Sequence, residues 1–558
     1  MTLVLVLLVA VLLVAYFALT PLLILLYGSL SDAPPGTVGN ITLVNYTRAY
    51  FDPEFYPLVW NTLKFASGSS LLSFLLGTYL AWVCERTNAP LRGITTALVI
   101  VLFIIPGILE TVAWILLLSP QIGLINLGIR QFRWMPDFSF NVYSLGGMIW
   151  AESMNLYPLV FLLMSAAFRS QDVAMEEASL TCGAGNFATL RKITLRLVTP
   201  AMLSVVLITF IRAVESFEVP ALIGVRAGVF VFTTKIYSAL QRLRPHYGIA
   251  GAYSVTLLLL SIIGVFFYYR MTKAAERFAT ITGKGYRPRR IDMGAWKYLV
   301  GFSCLLIVGV TVILPLTNLI WSSLTPYMAV PSLEMVPKLS LKSYQELFQF
   351  PFAHKAFFNS MLLSFGSATA VMLLTSCISW ITVKSQIRGS FIIDNLAFLP
   401  IAIPGIVLGV SLLVLYLTIP IPIYGTLWIL FIAYMTKYLP YGIRATSASM
   451  IQIGKELEEA SVVSGASWLQ TFRKILLPLL MPGFVAGWIY IAVVSLRELS
   501  TSILLYTQES IVLSILVFDL WESGLYSSVS ALGVLMALFL MVVTWGARRI
   551  GARIGYIA

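Results

Sequence analysis

The sequence predicts an all-α integral membrane protein with twelve transmembrane helices, built as a tandem parallel 6+6 repeat. Three observations predict it. The 558 residues are 59% hydrophobic and only 11% charged, against roughly 25% charged in a soluble chain. Apolar runs of about 20 residues, enough to cross a bilayer, recur along the whole chain. Two polar stretches that interrupt them are copies of one another: residues 174–200 and 456–482 align without a gap at an offset of 282, with 13 identities in 27 positions.

The first set of apolar runs falls near 3–27, 59–84, 96–118, 142–168, 201–223 and 250–269. The second falls near 298–321, 358–383, 392–417, 425–447, 483–506 and 527–547. The run at 3–27 lacks a basic n-region and an A-x-A site, so it reads as a retained span and not a cleaved signal. "NTLKFASGSSLLSFLLGTYLAWV" from Asn61 is echoed by "NSMLLSFGSATAVMLLTSCISWI" from Asn359, at an offset of 298. Ile105-Pro106-Gly107 is echoed by Ile403-Pro404-Gly405 at the same offset, and each Pro-Gly pair is expected to break its span. Six spans in each half give both halves one orientation, so the repeat axis lies along the membrane normal. The organisation is a first half at 1–270, a basic linker at 271–297 and a second half at 298–558.

Lys and Arg set the orientation. The segment 270–297 alone holds eight and the tail "ARRIGARIGYIA" three, while all loops on the opposite side hold ten of the 37. Both termini are therefore expected in the cytoplasm, with both polar copies. This asymmetry accounts for the net charge of +13. The charge is spread over loops beside spans, which argues against nucleic acid as a partner. Cys84, Cys182, Cys304 and Cys377 show no CxxC spacing, and His246 and His354 stand alone, so no disulfide framework or metal site follows.

Each polar copy lies between the fourth and fifth span of its half, at 170–200 and 452–482. It reads as a short helix, a glycine break and a second helix. In the second copy the first helix is expected over Gln452 to Val463. Gly465 allows the turn, since glycine tolerates positive φ, and Ser467 with Gln470 matches a capping box opening the next helix. Pro478 and Pro482 lead into the next span. The result is a compact knob joined to a transmembrane helix. Either the two knobs only stabilise loops as interfacial helices, or they fit matching sockets on a dimeric partner. Their duplication, while the spans have drifted, favours the second.

The pattern E-A-(A/S)-x-x-x-G, nine residues, then I-x-L-P resembles the EAA coupling motif of ATP-binding-cassette importer permeases. In the second half it is Glu459, Ala460, Ser461, Gly465, Ile475, Leu477 and Pro478; in the first it is Glu177, Ala178, Ser179, Gly183, Ile193 and Leu195. The first copy departs at Arg196, where the family has proline, and a serine replaces the last alanine in both. Over nearly its whole length the chain is similar to the fused two-domain, binding-protein-dependent permeases of the ferric-iron type. The resemblance implies a cytoplasmic EAA coupling helix in each half, two copies of an ABC ATPase subunit and a periplasmic or extracellular substrate-binding protein. It implies residence in a bacterial-type inner (cytoplasmic) membrane, within the lipid bilayer. ATP and Mg would be used by the partner ATPase and no cofactor would be bound by this chain. The sequence agrees: Gly283-Lys284 and Gly454-Lys455 are followed by Gly285 and Glu456, so neither completes a Walker A motif. Ferric iron is the expected substrate, with thiamine, aminoethylphosphonate and polyamine as alternatives.

Ionisable residues inside spans are candidates for a pathway. Arg212, Glu215 and Glu218 follow the first knob, and Arg497 and Glu498 follow the second. Glu110 and Glu152 are further intramembrane carboxylates, and Glu152 either lines a cavity or bonds a neighbouring helix. Glu215 and Arg497 are equivalent at the 282 offset. They are expected to face each other near the repeat axis, as a gate or as a structural ion pair. The carboxylates suit a cationic or metal-bearing substrate. A proton-coupled secondary transporter also has 6+6 spans, but its G-x-x-x-D-R-x-G-R-R loop is not matched by "ERTNAPLRG" at 85–93, and it leaves the knobs unexplained. No acid–base or metal constellation supports a membrane-embedded enzyme.

Overall fold

The computed structural model describes residues 2–130, 139–171, 174–276, 290–385 and 389–553. The first half contains α1 (Thr2–Leu30), α2 (Phe55–Arg86), α3 (Arg92–Ile104), α4 (Gly107–Leu118), α5 (Leu145–Arg169), α6 (Ala174–Thr181), α7 (Leu195–Glu215), α8 (Phe232–Leu240) and α9 (Tyr247–Glu276). The second contains α10 (Trp296–Val308), α11 (Leu314–Leu324), α12 (Ala353–Ser379), α13 (Ser390–Phe398), α14 (Gly405–Thr418), α15 (Leu427–Gln452), α16 (Glu456–Val463), α17 (Leu477–Leu496), α18 (Leu513–Glu522) and α19 (Tyr526–Arg553). Two isolated bridges, Ser31–Ile41 and Thr87–Ile291, are the extended pairings among the described residues.

Against the twelve expected spans, nine described helices are long and apolar enough to cross a membrane, or up to eleven if two bent pairs each count as one. The bent pairs are the two Pro-Gly breaks, with angles of 105° and 104°. Proline pushes its predecessor out of the helical region, and Ile105 is extended at ψ 136°. Pro106 and Pro404 then cap α4 and α14, whose first residues are the glycines. The expected tenth span falls on α15, a 26-residue helix that is outside those nine and carries Lys437 and Arg444. The expected spans 201–223 and 483–506 are corrected. Their helices stop at Glu215 and Leu496, and the chain re-enters as a π turn at Pro220–Gly224 and a short 3-10 turn at Ser502–Leu504. Apolar content extends past both ends, but Ser216 turns extended at ψ 131° and Arg497-Glu498 interrupts the second helix. Helix α9 also runs to Glu276, into the segment read as linker; residues 277–289 lie outside the described residues.

Both knobs sit at one end of the molecule. Arg86, closing α2, pairs with Glu176 of the first knob, and its carbonyl accepts from Ile291 N at 2.8 Å, just before the second half begins. From there α10 and α11 run away from that end and α12 returns to it, where Lys384 meets Glu458 of the second knob at 4.0 Å.

The halves interlock through their first helices. The Tyr16 and Tyr416 hydroxyls bond α1 to α14. Reciprocally, Tyr79 bonds Ser303 at 2.6 Å, Tyr157 bonds Thr311 at 2.8 Å and Asn318 Nδ2 donates to Ala113 O at 3.3 Å. Such side-chain bonds hold helices together where lipid supplies no hydrophobic drive. Within each half one close contact recurs with its glycine on opposite helices. A Cβ on Gly77 of α2 would stand 2.6 Å from Val160 Cβ of α5. In the second half the glycine is Gly442 of α15, and its Cβ would stand 2.7 Å from Val371 and 2.9 Å from Thr375 of α12. The 298 offset carries position 77 onto 375 and the 282 offset carries 160 onto 442, so the same crossing is kept tight by a glycine on either partner.

Candidate functional site

A cavity of about 210 Å³ lies where the two halves meet. Its lining contains both members of six repeat-equivalent pairs: Gly107 and Gly405, Asn155 and Lys437, Arg212 and Val494, Glu215 and Arg497, Ser216 and Glu498, Glu218 and Ser500. These pairs place the cavity between equivalent segments of the two halves. The two Pro-Gly breaks supply Gly107 and Gly405, and the chain at and just past the ends of α7 and α17 supplies Glu215, Ser216, Glu218, Arg497, Glu498 and Ser500.

All six predicted pathway residues, Arg212, Glu215, Glu218, Arg497, Glu498 and Glu152, line this one cavity, together with Glu110. Five glutamates face three bases. Four of the glutamates come from the first half, while Lys437 and Arg497 come from the second. The bases already hold protein partners. Lys437 Nζ donates to Glu498 Oε1 at 2.6 Å, and Glu498 also accepts from Tyr438 Oη at 3.2 Å and Thr501 N at 3.0 Å. Arg497 Nη1 donates to Phe103 O at 2.8 Å and Arg212 Nη2 to Tyr441 Oη at 3.1 Å. Glu152 does both things expected of it: it lines the cavity, and its Oε2 accepts from Ser216 Oγ at 2.7 Å. Glu215 and Arg497 share the wall, but no ion pair joins them among the described residues. Among the described residues, Oε1 of Glu110, Oε1 of Glu215 and Oδ1 of Asn155 have no hydrogen-bond partner. The open positions on this wall are thus acceptors.

The glycines of the two breaks make room for charged groups. A Cβ on Gly107 would meet Glu218 Oε2 at 2.4 Å, and one on Gly405 would meet Lys437 Nζ at 2.7 Å. Sequence reading missed Lys437. Its place near the middle of an apolar run, opposite Asn155 in the repeat, was the available signal.

The knobs fold as read, with one boundary corrected. The second knob's first helix begins at Glu456, because α15 runs to Gln452 and then breaks at Ile453–Lys455. Gly183 and Gly465 take φ +86° and +78°. Ser467 and Gln470 form the capping box, with Ser467 N donating to Gln470 Oε1 at 2.8 Å. Ser179 and Ser461, the two departures from the alanine pattern, bond Thr189 and Thr471 at 2.9 and 2.8 Å. Each hydroxyl pair closes the knob across its glycine turn. Glu177, Ala178, Gly183, Glu459, Ala460 and Gly465 are exposed, whereas Ile193, Leu195, Ile475 and Leu477 are half-buried. Pro478 opens α17, and Arg196, at its place in the first half, is exposed on α7. The π turns Leu190–Thr194 and Phe472–Leu476 carry each knob into the following span without a break.

Residues 73–278 and 377–556 match the family described as binding-protein-dependent transport system inner membrane component. The chain is 27% identical over 424 residues to the ferric transport system permease protein FbpB of Actinobacillus pleuropneumoniae, which covers 75% of this chain and 59% of that relative. It is 23% identical over 505 residues to the Fe(3+)-transport system permease protein FbpB 2 of Haemophilus influenzae, covering 90% of this chain and 91% of the relative. It is 28% identical over 193 residues to the spermidine/putrescine transport system permease protein PotC of Haemophilus influenzae, covering 35% of this chain and 74% of the relative.

Proposed function

This chain belongs to the family of inner membrane components of binding-protein-dependent transport systems, and on that premise we propose that its two halves form the pore of an ATP-driven importer of ferric iron. The observation that carries the reading is the cavity, walled by equivalent residues of both halves and rich in unpaired acceptor oxygens. A site between the halves can open to either side as the halves rock. Carboxylates on its wall offset the cost of bringing a cation into the membrane. No three His, Cys, Asp or Glu side chains among the described residues stand close enough to hold a metal ion.

In this reading the exposed faces of the knobs, around Glu177, Ala178 and Gly183 and around Glu459, Ala460 and Gly465, dock into two copies of an ABC ATPase subunit. Ser179, Ile193 and Leu195, with Ser461, Ile475, Leu477 and Pro478, hold those faces in place. The ATPase pair binds ATP and Mg and hydrolyses the nucleotide. Closure of the pair pushes the knobs, and a substrate-binding protein delivers iron to the opposite end. Helix α15 and the two broken pairs complete twelve crossings, and both termini lie with the knobs in the cytoplasm.

The relative named for spermidine and putrescine supports a second reading, since the same acidic wall suits a polyamine. Uptake of radioactive iron by proteoliposomes holding the chain, its ATPase and its binding protein tests the first reading. ATP-dependent iron uptake that excess spermidine leaves unchanged supports it. Uptake of spermidine and none of iron replaces it with the second.

A further inference from the structure

Each knob is fastened to the bundle by a second acidic residue that lies next to the motif glutamate and points the opposite way. In the first half Glu176 is buried against Arg86, the last residue of α2, and both side chains are almost fully enclosed, at 6% and 1% exposure. Thr194 Oγ1 donates to Glu176 Oε1 at 2.7 Å. In the second half Glu458 accepts from Trp380 Nε1 at 2.9 Å, and Lys384 stands 4.0 Å from it while also donating to Ile453 O. The 298 offset carries Trp82 and Arg86 onto Trp380 and Lys384, and the 282 offset carries Glu176 onto Glu458. The same W-x-x-x-(R/K) end of a span therefore receives the same glutamate twice.

The surroundings differ. Thr194 beside the first pair is replaced by Leu476 beside the second, where an apolar cluster of Met450, Ile453, Phe472, Leu476 and Leu480 fills the space. The charge pair and the tryptophan one turn before its basic member are common to both. A buried ion pair is a poor way to gain stability, because desolvation offsets its attraction. The knobs are also already closed by their own hydroxyl pairs and tied to the chain at both ends. What the ion pair adds is a third attachment, to a helix about ninety residues earlier in the sequence in the first half (Arg86 to Glu176) and about seventy earlier in the second.

That helix leads to the cavity. Helices α2 and α5 are in close contact at Gly77, and α12 and α15 at Gly442. Ser153 Oγ donates across the first pair to Ser69 O at 3.2 Å, and Thr446 Oγ1 across the second to Thr375 O at 3.2 Å. Helices α5 and α15 place the equivalent residues Asn155 and Lys437 on the cavity wall. Close-packed helices move as units because interiors are dense and stiff.

We propose that Arg86 with Glu176, and Lys384 with Glu458, are positioning residues that lock each knob to the end of α2 or α12, so that a push on the knob reaches the cavity wall. Glu177 and Glu459, one residue on and exposed, face the partner; Glu176 and Glu458 face the bundle. The proposal rests on the coupling reading given above.

The test uses the full chain with Glu458→Gln, which keeps an acceptor for Trp380 and removes the charge, and with Lys384→Met. In nanodiscs without partners, amide hydrogen exchange over 456–466 is expected to rise about 5-fold or more, with α15 unchanged. Reconstituted with the ATPase and binding protein, the variants are expected to bind the ATPase while substrate carried per ATP hydrolysed falls about 5-fold or more, the low end of usual coupling between sites. The swap Lys384→Glu with Glu458→Lys is expected to restore the ratio. Wild-type exchange and a wild-type ratio in Glu458→Gln overturn the proposal. If the wild-type chain binds no ATPase, the coupling reading fails, and the exchange experiment still decides whether the pair holds the knob.

Discussion

Lys437 of α15 and Glu498 form an ion pair of 2.6 Å in the cavity wall, with side-chain exposures of 20% and 8%. The first half has no counterpart, because Asn155 and Ser216 occupy the equivalent places. Removing one member of a buried pair leaves an uncompensated charge and costs about 3–5 kcal/mol, and the partial exposure of Lys437 places this pair toward the lower figure. Lys437→Met and Glu498→Gln should each lower the thermal midpoint of the detergent-solubilised chain. The double variant should lie closer to wild type than either. Additive losses in the double variant would show that the two groups do not depend on each other.

The carboxylate of Glu218 reaches the space left by Gly107. Glu218→Gln removes a charge from the wall, and a hydrogen bond to a charged group is worth about 1.5–3 kcal/mol. Uptake should fall roughly tenfold or more on that scale, while ATP hydrolysis by the assembled complex is unchanged. A parallel loss of hydrolysis would place Glu218 in the coupling path instead.

Glycine positions separate function from stability. In Gly107→Ala the new methyl meets the far end of the Glu218 side chain, which can swing away. The thermal midpoint should change little while uptake falls. In Gly77→Ala the methyl meets Val160 Cβ at 2.6 Å and the backbone carbonyl of Tyr157 at 2.7 Å, and overpacking of this kind costs about 1–3 kcal/mol. The midpoint should fall, and Val160→Gly in the same chain, which removes that Cβ, should recover part of the loss. Equal midpoints for the two single variants would contradict the distinction.

Within the knob, Ser461→Ala breaks the hydroxyl pair with Thr471 and should cost about 0.5–1.5 kcal/mol of local stability. Ser467→Ala removes an N-cap and should cost about 1 kcal/mol. Gly185 holds the Ser467 position in the first knob. Hydrogen exchange should therefore accelerate in the second knob alone.

Near the end of the linker the Asp292 carboxylate accepts from Gly294 N at 3.0 Å and Asn88 Nδ2 at 2.6 Å. These bonds hold its pKa below the usual 3.8. A depressed acid stabilises the folded form above its unfolded pKa and loses that effect as the pH falls through the folded value. The protection of amides 291–294, taken relative to the intrinsic exchange rate at each pH, should fall as the pH drops below about 3.8, and Asp292→Asn should remove that dependence.

Much of this was legible from residue order. The offset of 282 located both knobs, the Pro-Gly pairs located the breaks, and charges inside apolar runs located the cavity wall. What was not legible depended on distance in space. Apolar content continues past Glu215, so composition could not show that the helix ends there. Glu215 and Arg497 are equivalent by offset, yet Arg497 turns to the carbonyl of Phe103 and Lys437 takes Glu498. Lys437 was hidden because a single charge barely changes a long apolar window. Glu176 was overshadowed by its neighbour Glu177, although the chain repeats its Arg86 partner as Lys384.

The central claim is that the two knobs receive a partner ATPase. Gly183 and Gly465 have open space around them and left-handed backbone, so a tryptophan there strains the turn by about 1–2 kcal/mol and projects into any partner. The chain solubilised from its native membrane should retain a bound ATPase subunit, identified by mass spectrometry, and Gly183→Trp with Gly465→Trp should lose it while staying folded, with a thermal midpoint lowered by no more than the strain at the two turns. An ATPase recovered equally with the double variant, or none recovered with well-folded wild type, would contradict the account.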